Sequence, residues 1–97
     1  PYIEAFPDLP LWVTEIGVAS DNPIPAEYNE RIANYMRDVY LYIGTYYSRH
    51  VPVVMWWAWS DYMANAGIVD MDEQPKEPIY DTFRDVRNGA IFHDLGE

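Results

Sequence analysis

One apolar run, from Val51 to Tyr62, constrains the fold most strongly. It reads VPVVMWWAWSDY, with three tryptophans within four residues and a polar end at Ser60-Asp61. Its shortness, its valines and Pro52 near its start favour a strand over a buried helix. Because the run is apolar on both faces, it is typical of a parallel strand covered on both sides, as in α/β folds. The aromatic side chains would then lie at the carboxyl end of this strand.

A second strand and a long helix precede this run. Residues 11–17, LWVTEIG, form a short predicted strand, and residues 26–48 carry apolar side chains at helical spacing. With a strand over 51–59, this order predicts a right-handed βαβ unit whose parallel strands end on the same side. We also expect a loop over 1–10, a last helix over 78–88 and a tail over 90–97. The predicted fold class is therefore α/β.

Glu15 is the most conspicuous charge in the chain, because it interrupts the apolar strand 11–17. A carboxylate at the end of a buried strand is costly to desolvate unless it is paired or functional. The βαβ unit would place it at one carboxyl-terminal edge with Trp56, Trp57 and Trp59. That edge is where α/β barrels carry their chemistry.

Composition excludes several function classes. The formal net charge is −10, and Lys76 and five arginines are the only basic side chains apart from two histidines. No basic footprint exists for a nucleic-acid partner. The absence of cysteine excludes thiol nucleophiles and thiolate metal sites. No apolar run approaches the roughly 18 residues of a membrane span.

No metal site and no cofactor are predicted. Asp70 and Asp72 alternate with a methionine, but the glycine and terminal glutamate of a calcium loop are missing around them. His50 and His93 lack metal-ligand spacing. A triad of Ser60, His93 and Asp61 is disfavoured because no nucleophile-elbow motif surrounds the serine.

The two predicted strand ends together resemble the C-terminal quarter of a clan A glycoside hydrolase, a (β/α)8 TIM barrel. In that family strand 7 ends in a TE-x-G type motif, matched here by LWVTEIG. Strand 8 often ends in W-x-x-x-D, followed by G-(I/L)-x-D-x-x-x-x-P-K, and WAWSDY and GIVDMDEQPK match that order. The closest likeness is to the β-glucuronidase and β-galactosidase family and its cellulase-like relatives. The resemblance covers Leu11 to about Val86 and implies a βαβα segment with outer helices.

The resemblance implies a retaining glycosidase with Glu15 as its nucleophile. Trp57 matches the strand 8 tryptophan beneath the sugar, and Trp59, Asp61 and Tyr62 are further candidates for substrate binding. Trp57 and Trp59 would share a face if the strand were regular. In this family the acid/base carboxyl follows an asparagine at the end of strand 4, and no Asn-Glu stands at such a place here. Because the chain also begins at Pro1 without methionine, we expect it to be part of a longer protein.

The expected partners follow from these assignments. They are a carbohydrate substrate and either the remainder of the barrel or further copies of this chain, since a quarter barrel leaves strand edges exposed. Polysaccharide chemistry slightly favours a location outside the cytoplasm. Two rival interpretations stay open: a carbohydrate-binding barrel without catalysis, and a small α/β interaction domain with a tyrosine-rich helix.

Overall fold

A computed structural model of the chain describes residues 1–90. These residues form α1 (Tyr2–Ala5), β1 (Trp12–Ile16), α2 (Asn29–Tyr46), β2 (Val53–Trp56) and α3 (Ile79–Arg87), with a 3₁₀ turn (Ala26–Tyr28) before α2. β1 and β2 pair in parallel, with α2 as the connection between them. The predicted α/β class and the βαβ order are therefore confirmed.

The core lies between the sheet and the two longer helices. The repeat of apolar residues along α2 buries one stripe of that helix, and α3 packs against the same helix. Tyr35 of α2 and Trp56 of β2 meet with ring centroids 6.0 Å apart. The buried core cluster consists of Ile32, Ala33, Met36, Ile68, Val69 and Ile79. Two of these residues come from the segment after β2, so that segment is part of the core.

The opposite face of the sheet is open in residues 1–90. Trp12 is 56% exposed and Met55 is 44% exposed. The chain is flat, measuring 42 × 32 × 18 Å, and its radius of gyration is 14.6 Å. A compact domain of this length would have about 12.5 Å. The expectation that the tryptophan strand is covered on both faces is therefore wrong for these residues, because both long helices pack on one side.

Element boundaries differ from the sequence prediction at both ends of the chain. The expected loop 1–10 contains the single turn α1, in which the Ala5 N–H donates to the Pro1 carbonyl at 2.9 Å. Pro7 disfavours helical geometry at Phe6, the residue after α1, and so limits this helix to one turn. The predicted helices 26–48 and 78–88 are each slightly shorter than expected. The part of the predicted tail at 91–97 lies outside the described residues.

The tryptophan strand is shorter than the predicted range 51–59. β2 ends at Trp56, and the Trp57–Ala58 peptide bond is cis. Beyond it the backbone pairs with a later segment instead of β1: the Ala58 N–H donates to the Ala66 carbonyl at 3.0 Å, and the Ala58 carbonyl accepts from the Ile68 N–H at 3.1 Å. The predicted extended piece at Ile68-Val69 is present as isolated bridges from Val69 to Ser60 and Pro75.

Candidate functional site

A register shift in the sheet determines which way Glu15 faces. Val13 pairs with Val54, and Ile16 pairs with Trp56. Between these two pairs, β1 has two residues and β2 has one. Paired residues of parallel strands share a face, which places all four on the helix-covered side. Glu15 directly precedes Ile16 and therefore lies on the open side. A shift of this kind can re-aim a side chain.

Trp57 lies next to the end of β1. Its backbone N–H donates to the Ile16 carbonyl at 2.9 Å. A Cβ on Gly17 would collide with the Trp57 carbonyl oxygen, so only glycine permits this approach of the two chains. The strand bearing Glu15 and the segment bearing Trp57 thus meet at one carboxyl-terminal edge, as the sequence predicted.

The Glu15 carboxylate is exposed at this edge. Within residues 1–90, this carboxylate forms no hydrogen bond and no ion pair. Its negative charge is therefore not neutralised by a nearby arginine or lysine. Such a carboxylate can act as a nucleophile or accept hydrogen bonds from a ligand.

The structure separates Trp59 from Trp57. Because β2 ends at Trp56, strand alternation does not extend to residue 59. The Trp59 ring lies edge-on to Tyr80 of α3, with centroids 6.4 Å apart, and is 56% exposed. Trp57 is partly buried beside Gly17. Trp57 is therefore the tryptophan whose backbone adjoins the end of β1, and Trp59 belongs to the helix side.

Asp61 is engaged within the fold. Its Oδ1 accepts a hydrogen bond from the Lys76 ammonium at 2.9 Å and from the Gly67 N–H at 3.0 Å. The Lys76 and Asp61 side chains are only 12% and 16% exposed. This pair closes the loop 61–76 and gives the only lysine of the sequence a structural role.

Tyr62 and the loop around it form the rim of this edge. The Tyr62 side chain is 72% exposed, and its backbone N–H donates to the Ser60 hydroxyl at 3.2 Å. The Asn65 amide donates to the Ser20 carbonyl at 2.9 Å, and the Ser20 N–H donates to the Ala64 carbonyl at the same distance. These bonds tie the loop after β2 to the loop after β1.

The other sequence candidates have different surroundings. Asp70 Oδ1 accepts from the backbone N–H groups of Asp72 and Gln74, at 2.8 and 2.9 Å, which makes it a turn residue. No group of three potential metal-ligating side chains occurs within 1–90. His93, one member of the disfavoured triad, lies outside the described residues. In the same range, no helix is long and apolar enough to cross a membrane.

Two residues important for this edge were not identified as such from the sequence. Gly17 determines how closely the two strand ends approach, and the signal for it was its place directly after a strand. Lys76 pairs with Asp61 across fifteen residues. The Pro-Lys dipeptide at the start of the segment leading to α3 drew attention to Lys76. No local spacing, however, predicts that Lys76 pairs with Asp61.

Comparisons of this chain with protein-family models, with curated proteins and with solved structures give no match. The chemistry of the edge that contains Glu15, Gly17 and Trp57 is the remaining guide to function.

Proposed function

We propose that this chain is the part of a retaining (β/α)8 glycoside hydrolase that runs from strand 7 to helix 8. β1 would be strand 7 and β2 strand 8. The observation that supports this proposal most is the unpaired Glu15 carboxylate near the end of β1, the same strand end whose Ile16 carbonyl accepts from the Trp57 backbone N–H. Active sites of such barrels lie at the carboxyl ends of their strands.

In the proposed reaction, the Glu15 carboxylate attacks the anomeric carbon of a sugar. The glycosidic bond breaks, an ester forms between the sugar and Glu15, and the leaving oxygen takes a proton from a second carboxyl group. Water then attacks the same carbon, gives its proton to that second group and releases Glu15. An exposed carboxylate without a salt bridge suits this role because its lone pairs are free.

Trp57 is proposed as the platform for the sugar ring. The apolar face of a pyranose packs on an aromatic ring, while its hydroxyl groups need polar partners at the rim. Tyr62 is exposed on the loop that follows and is available for that purpose. Trp59 and Asp61 receive no part in the proposal, because the first packs against α3 and the second is bound to Lys76.

The second carboxyl must come from another part of the protein or from a partner chain. A retaining mechanism requires the two carboxyl groups about 5 to 5.5 Å apart. Asp61 is unsuited because its charge stabilises Lys76. The open face of the sheet, with Trp12 and Met55 exposed, would face the interior of a barrel, which side chains from the remaining strands fill.

The test replaces Glu15 by Gln in the natural gene product that carries this chain, with Glu27→Gln as the control for an exposed carboxylate. Turnover of aryl glycosides should fall by at least about a thousandfold in Glu15→Gln while sugar affinity persists. A 2-fluoro sugar should label Glu15, as detected by mass spectrometry. Equal turnover in both variants, or labelling elsewhere, would overturn the proposal.

The rival functions give different results in the same experiment. A binding barrel without catalysis would show no turnover, and sugar would still quench tryptophan fluorescence in a manner that depends on Trp57. The α/β interaction domain would show neither turnover nor quenching. Trp12→Ala is the matched control for Trp57→Ala, because Trp12 lies at the opposite end of the sheet.

A further inference from the structure

The segment after β2, residues 57–67, is bonded to the segment after β1, residues 17–22, through Ser20. The Ser20 N–H donates to the Ala64 carbonyl at 2.9 Å, and the Ser20 carbonyl accepts from the Asn65 side-chain amide, also at 2.9 Å. Ser20 and Asn65 are both half-buried, so a lost bond would leave a polar group with little access to water. The Asn65 amide thus replaces the backbone N–H that a neighbouring strand would supply.

The backbone that makes these two bonds is left-handed. Ala64 has a φ of 54° and Asn65 has a φ of 57°. Asparagine enters this region more readily than most residues, because its short polar side chain can form hydrogen bonds nearby. Alanine lacks that advantage, so the conformation of Ala64 is strained. Strained backbone persists only where the surrounding contacts hold it, and the two bonds to Ser20 are such contacts.

On one side, Asn65 holds the backbone that carries Tyr62. The Asn65 N–H donates to the Asp61 carbonyl at 3.1 Å, and the Tyr62 N–H donates to the Ser60 hydroxyl at 3.2 Å. Tyr62 therefore belongs to a bonded turn whose far end is fixed to Ser20. The position of its exposed side chain depends on where that turn is held.

On the other side, the same turn leads back to Trp57. The Ala66 carbonyl, directly after Asn65, accepts from the Ala58 N–H at 3.0 Å. The Trp57 N–H is bonded in turn to the Ile16 carbonyl at 2.9 Å. The backbone around Trp57 is therefore fixed from two sides, by the end of β1 and by the turn that Asn65 anchors.

We propose that Asn65 is a positioning residue of the candidate site. Its bond to Ser20 sets where Trp57 and Tyr62 lie relative to the end of β1. This inference rests on the proposed glycosidase function, which assigns those two residues to the sugar. A ligand that contacts both residues binds more tightly when the loop that carries them is already ordered, because less freedom is lost on binding. The Asn65 amide thus contributes to sugar affinity without touching the sugar.

The first experiment compares Asn65→Asp with Asn34→Asp in the natural gene product that carries this chain. A carboxylate has nearly the shape of the amide but cannot donate to the Ser20 carbonyl. Asn34 is an exposed residue of α2, so it controls for the same change of charge. KM for aryl glycosides should rise about tenfold in Asn65→Asp, the change expected for roughly one hydrogen bond, while kcat changes by less than about twofold. Neither constant should change in Asn34→Asp.

The split between KM and kcat separates positioning from loss of stability. A partly unfolded variant has fewer active molecules, so its kcat falls while the KM of the folded fraction stays the same. A higher KM at unchanged kcat therefore indicates lost binding in a folded site. An unchanged KM in Asn65→Asp, or an equal rise in Asn34→Asp, would overturn the proposal. If Asn65→Asp does not fold, Asn65→Gly keeps the left-handed backbone without the amide and is used in the same comparison.

Amide hydrogen exchange tests the bonds of Ser20 without any substrate. In Asn65→Asp the Ser20 N–H should exchange at least about tenfold faster than in the unmodified protein, while the Trp57 N–H keeps its rate. Equal Ser20 rates in the two proteins contradict the role of Asn65. Faster Ser20 exchange together with full turnover in Glu15→Gln would refute the glycosidase and keep the bond. Failure of the positioning role and failure of the proposed function are therefore distinguishable.

Discussion

Two carboxylates lie near the carboxyl ends of the two strands of the sheet, and their surroundings differ. Glu15 at the end of β1 is exposed, and no ion pair within residues 1–90 involves it. Asp61, five residues beyond β2, is mostly buried and holds both Lys76 and the Gly67 N–H. The comparison shows that a charge near a strand end is not by itself a sign of function. The charge left without a protein partner is the one available for chemistry.

Replacing Asp61 by Ala should have the largest effect on stability. The change removes two hydrogen bonds and leaves the Lys76 ammonium poorly solvated without its counter-charge. We expect the free energy of unfolding to fall by about 3 kcal/mol. Asp61→Asn should fall between Asp61→Ala and the unmodified chain, because its amide oxygen can still accept from the Gly67 N–H. Urea denaturation followed by tryptophan fluorescence measures both.

Asp72→Ala is the control for Asp61→Ala. The Asp72 side chain is in an exposed residue and forms none of the described hydrogen bonds. Its replacement should change the free energy of unfolding by less than about 0.5 kcal/mol. If Asp61→Ala and Asp72→Ala were equally stable, the difference between the two strand-end carboxylates would lose its physical basis.

An intermediate effect is expected for Gly17→Ala. The added methyl group would collide with the Trp57 carbonyl, so β1 and the segment after β2 must separate. We expect the free energy of unfolding to fall by about 2 kcal/mol, the usual cost of forcing a methylene into a packed contact. Gly89→Ala is a useful comparison, since a Cβ there meets no atom within 4 Å and the backbone φ of +75° is the only strain. A smaller loss in Gly17→Ala than in Gly89→Ala would contradict the close approach.

The smallest effect on stability is expected for Glu15→Gln. Within residues 1–90 the Glu15 carboxylate forms no ion pair and no hydrogen bond. Its replacement by a neutral amide should therefore change the free energy of unfolding by less than about 0.5 kcal/mol. The measurement is the same urea titration at pH 7. A loss as large as that of Asp61→Ala would show that Glu15 has a structural partner, and would weaken its assignment as a free nucleophile.

Local patterns in the sequence were sufficient for the order of the two strands and the two longer helices and for the pairing of the two strand ends, but not for α1. Apolar spacing identified α2 and α3, and two short apolar runs identified β1 and β2, because the periods of helix and strand differ. The same runs did not reveal where β2 ends. The backbone of Ala58 and Trp59 pairs with residues 66–69, a choice made by contacts that are distant in the chain.

The sequence by itself determined the α/β class, the parallel arrangement and the presence of Glu15 and Trp57 at one edge. Only the tertiary structure decided that Trp59 faces α3, that Asp61 is bound to Lys76 and that Asn65 is bound to Ser20. The physical reason is that periodicity depends on neighbours a few residues away, whereas a side chain's partner depends on which segments the fold brings together. The register shift between Val13 and Ile16 turned Glu15 to the open face, and no residue pattern in β1 predicts that shift.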